Sequence, residues 1–109
     1  MTAYQERQLD ALGDPTRRAI VGRLLDRPLP VGELARDFSV SRPAISQHLR
    51  VLKQARLVTA RAEGTRRVYA VNPEAFDSLR DYFDQFWSRA LVAFKDHAGT
   101  RSSKEKKRR

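Results

Sequence analysis

From Ser39 to Ala62 the chain carries no acidic residue, yet Arg42, Arg50, Lys53, Arg56 and Arg61 all fall in that interval. If Ile45, Leu49 and Leu52 turn inward on a helix, then Arg42, Ser46, Gln47, Arg50 and Lys53 turn outward. These side-chain types match the edges of DNA bases. A guanidinium can hold guanine O6 and N7 bidentately, a carboxamide can hold adenine N6 and N7, and a hydroxyl suits either. That assigns base contacts to Arg42, Gln47 and Ser46, with Pro43 and Ala44 offering apolar surface to thymine methyls. Arg50, Lys53 and Arg56 suit phosphates, which set register without reading sequence. The solvated face of an ordinary amphipathic helix would also be polar. Against that reading stand the missing acids and the short helix and break that come just before.

A second cationic group, Arg61, Arg66 and Arg67, surrounds Gly64, with Glu63 its one opposing charge. Arginines on a protruding hairpin suit phosphate contact and a narrow minor groove. A plain solvated turn is the alternative. Tyr69 reads as core behind this hairpin. His48 leaves two roles open, contact with phosphate or packing beneath the helix. His97 reads as a surface cation near a helix C-terminus, where it is mildly stabilising. No Ser/His/Asp arrangement, carboxylate pair or phosphate-cradling glycine loop is present, so the chain does not read as an enzyme. It contains no cysteine, which excludes a disulfide scaffold, a thiolate metal site and a cysteine nucleophile.

The elements that must position these residues follow from caps and periodicity. A first helix covers about Ala3 to Leu12 and ends at Gly13. Asp14-Pro15 opens a second, Asp14 as cap and Pro15 in the first turn, with Ile20, Val21, Leu24 and Leu25 as its apolar stripe and the Pro28–Pro30 segment as its stop. Val31, Leu34, Ala35 and Phe38 define a short third helix. After the Ser39-Val40-Ser41 break, Ser41 caps a fourth, with Pro43 in its first turn and Ile45, Leu49, Leu52 and Ala55 on its buried side. Two short helices about a tight break form a helix-turn-helix. Leu57–Arg61 and Arg67–Val71 read as strands joined by Ala62-Glu63-Gly64-Thr65, with Gly64 free to take a positive φ. The fold class is mainly α with a small β-hairpin wing.

Asn72-Pro73 opens a last helix of about 24 residues, ending near His97 or Gly99. Phe76, Leu79, Phe83, Phe86, Ala90 and Ala93 advance along it by threes and fours, and Tyr82, Trp87, Leu91 and Phe94 widen the stripe. One edge helix of a small domain cannot hide that much aromatic surface against its own core. A two-fold partner is the simplest cover, and a ligand-lined pocket the sharper alternative.

The 109 residues suit one domain, and the net charge of +9 favours a polyanionic partner. That charge is unevenly placed: residues 1–38 are neutral, 39–69 carry +6, 70–100 carry −2 and 101–109 carry +5. Residues 1–98 are expected to form the DNA-binding and dimerisation domain, and 99–109 a disordered basic tail. With no signal-peptide core and no apolar run near membrane-spanning length, a cytoplasmic location and no membrane partner are expected.

The runs ALGDPTRRAIVGRLL (11–25), VGELARDFSVSRPAISQHLRVLKQARLV (31–58) and AEGTRRVYAV (62–71) resemble the ArsR-type (ArsR/SmtB) winged-helix repressors. The resemblance covers about residues 4–97, and the segment SRPAISQHLRVLKQARLV carries its specificity. It implies a homodimer held by the first and last helices, with Leu9, Leu12, Phe76, Leu79, Tyr82, Phe83, Phe86, Trp87 and Ala90 at the interface. It further implies binding of double-stranded DNA at an inverted repeat and repression, commonly of the chain's own operon. Base contacts fall by the match on Arg42, Pro43, Ser46 and Gln47, wing contacts on Arg66 and Arg67, and the wider DNA-binding set adds Ser41, His48, Arg50, Lys53 and Arg61.

Many members of the family release DNA on binding metal, and here the chain departs from them. The third-helix motif needs cysteines where this sequence has GELARD (32–37). At the last-helix ligand positions stand Asp84, Phe86 in place of a histidine, His97 and Thr100. No metal and no cofactor are expected, since Asp with His alone makes a poor transition-metal site. Two other functions fit less well: a small-ligand sensor with its pocket between dimer helices, and a non-specific nucleic-acid binder.

Overall fold

The computed structural model describes the backbone of residues 2–107 and the side chains of residues 2–96. Its elements are α1 (Ala3–Leu12), α2 (Pro15–Asp26), β1 (Leu29–Pro30), α3 (Val31–Arg36), α4 (Arg42–Gln54), β2 (Val58–Glu63), β3 (Arg66–Val71) and α5 (Pro73–Lys107). They divide into two compact units, residues 1–78 and 79–109.

Helix starts in the first unit are set by side chains that satisfy the free N–H groups of an opening turn. Thr2 Oγ1 accepts from the Gln5 N–H at 3.1 Å while Gln5 Oε1 accepts from the Thr2 N–H at 2.9 Å, a reciprocal box that fixes α1. Asp14 Oδ2 accepts from the Arg17 N–H at 2.9 Å, and Pro15 follows where its missing donor costs nothing. Ser41 Oγ does the same for the Ala44 N–H at 3.2 Å and so fixes the first turn of α4.

The core is drawn from every element of this unit. Ile20 and Leu24 of α2, Leu29 of β1, Leu34 of α3, Ile45, Leu49 and Leu52 of α4, and Leu57 and Val58 are fully buried. Ala55 is buried, as the α4 stripe requires. Leu25 corrects its stripe: it is 62% exposed, because it lies beyond Val21 around the last turn of α2, outside the buried arc.

α4 ends in a Schellman motif without glycine. The Leu57 N–H reaches Leu52 O and the Arg56 N–H reaches Lys53 O, each at 3.0 Å, with Arg56 at φ +62°. That conformation suits glycine, and arginine is held in it by contacts on both sides. Its guanidinium lies 4.0 Å from the centre of the Tyr4 ring, and its carbonyl accepts from Asn72 Nδ2 at 2.9 Å.

The sheet has three antiparallel strands in the order β1-β3-β2. The sequence indicates only the hairpin, because two residues ending in proline show no strand period. Pro30 is tolerated since β1 is an edge strand. The hairpin loop is also tighter than the expected Ala62–Thr65. Glu63 pairs with Arg66 in the ladder, leaving Gly64 (φ +63°) and Thr65 as a two-residue loop with glycine at its first position.

α5 is 35 residues long, so its expected end near His97 or Gly99 is corrected. Gly99 does not stop it, and the Lys, Arg and Glu that follow are good helix formers with no proline among them. The expected disordered tail is therefore helical in backbone through Lys107, while Arg108, Arg109 and the His97 side chain lie outside the described residues. Within residues 79–96, Tyr82 stacks on Phe86 at 6.4 Å and meets Phe83 edge-on at 5.5 Å, and Phe86 meets Trp87 edge-on at 6.0 Å. No helix among the described residues is long and apolar enough to cross a membrane.

Candidate nucleic-acid interface

α3, the break and α4 form the helix-turn-helix, and the inward row Ile45, Leu49 and Leu52 dictates what α4 turns outward. Arg42, Pro43, Ser46, Gln47, Arg50 and Lys53 are all exposed, along one continuous strip of the helix. Ser41 is exposed and engaged in capping. Arg42 leans off this strip: its guanidinium carbon and both terminal nitrogens lie 3.9 Å from where a Cβ on Gly32 would stand. Any contact from Arg42 to a base edge requires the side chain to swing away from α3.

His48 is not on the outward strip. It is half-buried and faces α2, its Nδ1 3.4 Å from Nη1 of Arg17. Arginine has no acceptor, so any hydrogen bond in this contact is donated by the guanidinium. Arg17 also donates from Nε to Ala11 O at 2.8 Å, so one side chain joins the end of α1, the start of α2 and the recognition helix. The Asp14 carboxyl lies below its usual range, first because the Arg17 N–H binds the carboxylate, then through the charges of Arg17 and His48.

The wing carries Arg61, Arg66 and Arg67, all exposed. Arg61 donates from Nε to Glu63 Oε2 at 3.0 Å, with Nη2 2.9 Å from the same oxygen, and Arg66 Nη2 lies 4.0 Å from Glu63 Oε1. Tyr69 is half-buried, on the inner stretch of β3. A groove of about 430 Å³ runs between α3, the start of α4 and the wing, lined by Gly32, Arg36, Arg42, Ser46, Arg66, Arg67 and Tyr69 among others. It brings wing and recognition-helix arginines to one concavity and adds Arg36, which reading the sequence missed. The signal was thin: Arg36 closes a six-residue helix balanced by Glu33 and Asp37, and only tertiary structure lays it beside Arg42. Asp37 is itself engaged, with Arg23 at 2.8 Å.

Of the proposed interface residues, Phe83, Phe86 and Trp87 are 39%, 52% and 59% exposed, and Leu91 and Phe94 extend that surface. Leu9, Leu12, Phe76, Tyr82 and Ala90 are half-buried. Leu79 is 4% exposed and contributes no open surface, a correction to its place in that set. Among the described residues no three His, Cys, Asp or Glu side chains converge as a metal site.

Comparison with known proteins bears on this architecture. Residues 14–60 match the model of the bacterial regulatory proteins of the arsR family, an interval that holds α2, α3, α4 and the start of β2. The chain is 57% identical over 96 residues to the HTH-type transcriptional regulator Rv2034 of Mycobacterium tuberculosis, covering 86% of this chain and 90% of that protein. It is 39% identical over 62 residues to the transcriptional repressor SdpR of Bacillus subtilis, covering 57% of this chain and 69% of that one. Among solved structures it resembles the homodimeric winged helix-turn-helix DNA-binding domain of Mb0332 from Mycobacterium bovis, with a TM-score of 0.62 and 26% identity over 88% of this chain and 83% of that one. The chain thus belongs to the arsR family of bacterial regulatory proteins, as a winged helix-turn-helix transcriptional regulator and not an enzyme.

Proposed function

We propose that the chain acts in the cytoplasm as a homodimeric repressor that reads an inverted-repeat operator and needs no metal co-effector. The observation that carries this reading is the outward strip of α4, exposed along its length and free of acid, flanked by the arginines of the wing. Ser46 and Gln47 read base edges, Arg42 joins them by swinging from Gly32, and Pro43 meets thymine methyls. Arg50 and Lys53 hold phosphates while Arg61, Arg66 and Arg67 grip the backbone at the wing. His48 acts indirectly, by fixing α4 against Arg17.

The aromatic face of α5 is the dimer contact. The homodimeric state of the Mb0332 domain supports this, as does the exposure of Phe86 and Trp87. Two-fold symmetry sets the recognition helices about one DNA turn apart, ~34 Å, on a pseudo-palindrome. A dimer seated there represses by occupying the promoter, and the relative SdpR is named a transcriptional repressor. The basic residues from Arg101 onward add affinity without sequence preference, through release of counterions.

A footprint on the DNA upstream of the chain's own gene tests the proposal, repeated with zinc and with chelator. Protection of an inverted repeat, unchanged by either addition, is expected. Protection that zinc abolishes overturns the metal-free reading, and equal binding to all DNA overturns the operator.

A further inference from the structure

Glu63 is the sole acidic residue between Ser39 and Asn72, and its carboxylate is turned onto the wing's own arginines. Hairpin register enforces this. Glu63 is the ladder partner of Arg66 and stands two residues from Arg61 on β2, so all three side chains share one face of the wing. Arg61 gives both Nε and Nη2 to a single carboxylate oxygen, at 3.0 and 2.9 Å, and these are the donors that a phosphate would take. Arg67 pairs across the ladder with Ala62, on the opposite face.

The pairs do little for the fold. The three side chains are 48–61% exposed, and ion pairs so wetted contribute little to stability. What they change is the availability of the guanidinium groups. We infer that Glu63 is an affinity-tuning residue of the wing: it competes with DNA phosphate for Arg61 and Arg66. Those arginines then engage DNA only where the docked recognition helix brings the backbone close enough to displace the carboxylate. On DNA without the operator sequence, docking is looser, Glu63 keeps both arginines, and Arg67 supplies the wing's contact. Glu63 in this way lowers affinity for both: the operator complex gives up the broken ion pairs, and the bulk complex forgoes a wing contact weaker than those pairs. The inference rests on reading the hairpin as a DNA contact.

The test uses the full chain, a duplex it selects from a random library and a scrambled duplex of equal length, titrated across salt. Glu63→Gln keeps the size of the side chain and removes its charge. It is expected to strengthen binding to the selected duplex by about twofold to fivefold, the range of an exposed ion pair, with a smaller gain on the scrambled duplex. The salt slope on scrambled DNA should steepen by about one to two, as freed arginines neutralise further phosphates. Arg61→Ala should cost scrambled binding less with Glu63 present than in the Glu63→Gln background. Equal gains on both duplexes, or additive effects of the two substitutions, overturn the inference and leave the wing contact standing. If neither Arg66→Ala nor Arg67→Ala weakens binding in either background, the wing contact itself falls and the inference with it.

Discussion

Helices α4 and α5 carry the same rhythm of apolar residues and meet opposite fates. Ile45, Leu49 and Leu52 return every three or four residues along α4 and are 0% exposed. Phe83, Trp87, Leu91 and Phe94 return at the same steps along α5 and are 39–67% exposed. Periodicity states that a face must be dry, and it does not state what dries it. α4 is covered by α1, α2, α3 and β2 of its own chain. The open face of α5, long and aromatic, has the character of a surface between subunits.

The contrast breaks or sharpens under substitution. Leu49→Ala should cost about 2–5 kcal/mol of folding stability by opening a cavity in the core, and the loss in a urea melt should not depend on protein concentration. Phe86→Ala should instead weaken dimerisation by about 2 kcal/mol, read by sedimentation, with little loss for the isolated subunit. If Phe86→Ala destabilises at every concentration as Leu49→Ala does, the two helices are not different in kind. Gln47→Ala, on the outer strip of α4, should cost about 1–3 kcal/mol on the operator and leave scrambled DNA and the melting temperature nearly unchanged. Equal weakening on both DNAs assigns Gln47 to phosphate. At the end of α4, Arg56→Gly relieves the positive φ and gives up the contact with Tyr4, so the net gain in thermal stability should stay under about 1 kcal/mol. A net loss would show that the Tyr4 contact outweighs the backbone.

Asp14 gives the subtlest effect. Its carboxyl is depressed in the folded chain, so its stabilisation is complete above the ordinary carboxylate pKa and is lost as pH falls through the folded value. Asp14→Asn keeps an acceptor for the Arg17 N–H and cannot titrate. Urea midpoints taken downward from about pH 6 should converge for wild type and variant in acid. Parallel curves would remove the charge on Asp14 from the account.

Much of this was legible in the sequence. Asp14-Pro15 and Ser41 mark helix starts because capping is local chemistry, and each places its hydrogen bond three residues on. The α4 stripe was legible because its cover is ordinary core. What escaped depends on partners distant in sequence. β1 is a strand only because Leu29 and Pro30 meet Tyr69 and Val68. Arg36 joins the groove only because α3 packs beside α4, and His48 faces inward only because Arg17 waits there. Leu25 and Leu79 show the same limit for burial: a stripe gives the direction of a face, and the neighbours set where it ends.

The short strand at Pro30 has a consequence for how these molecules coexist on DNA. A regulator that displays a naked hairpin, at high local concentration along a chromosome, risks pairing wing to wing into open-ended sheets. One rim of this sheet ends in a proline that has no hydrogen to donate. The other rim, β2, is lined with Thr59, Arg61 and Glu63, all exposed and two of them charged. The wing can therefore meet nucleic acid without inviting polymerisation, and the proline that stands at the start of α3 also seals the sheet against its own copies.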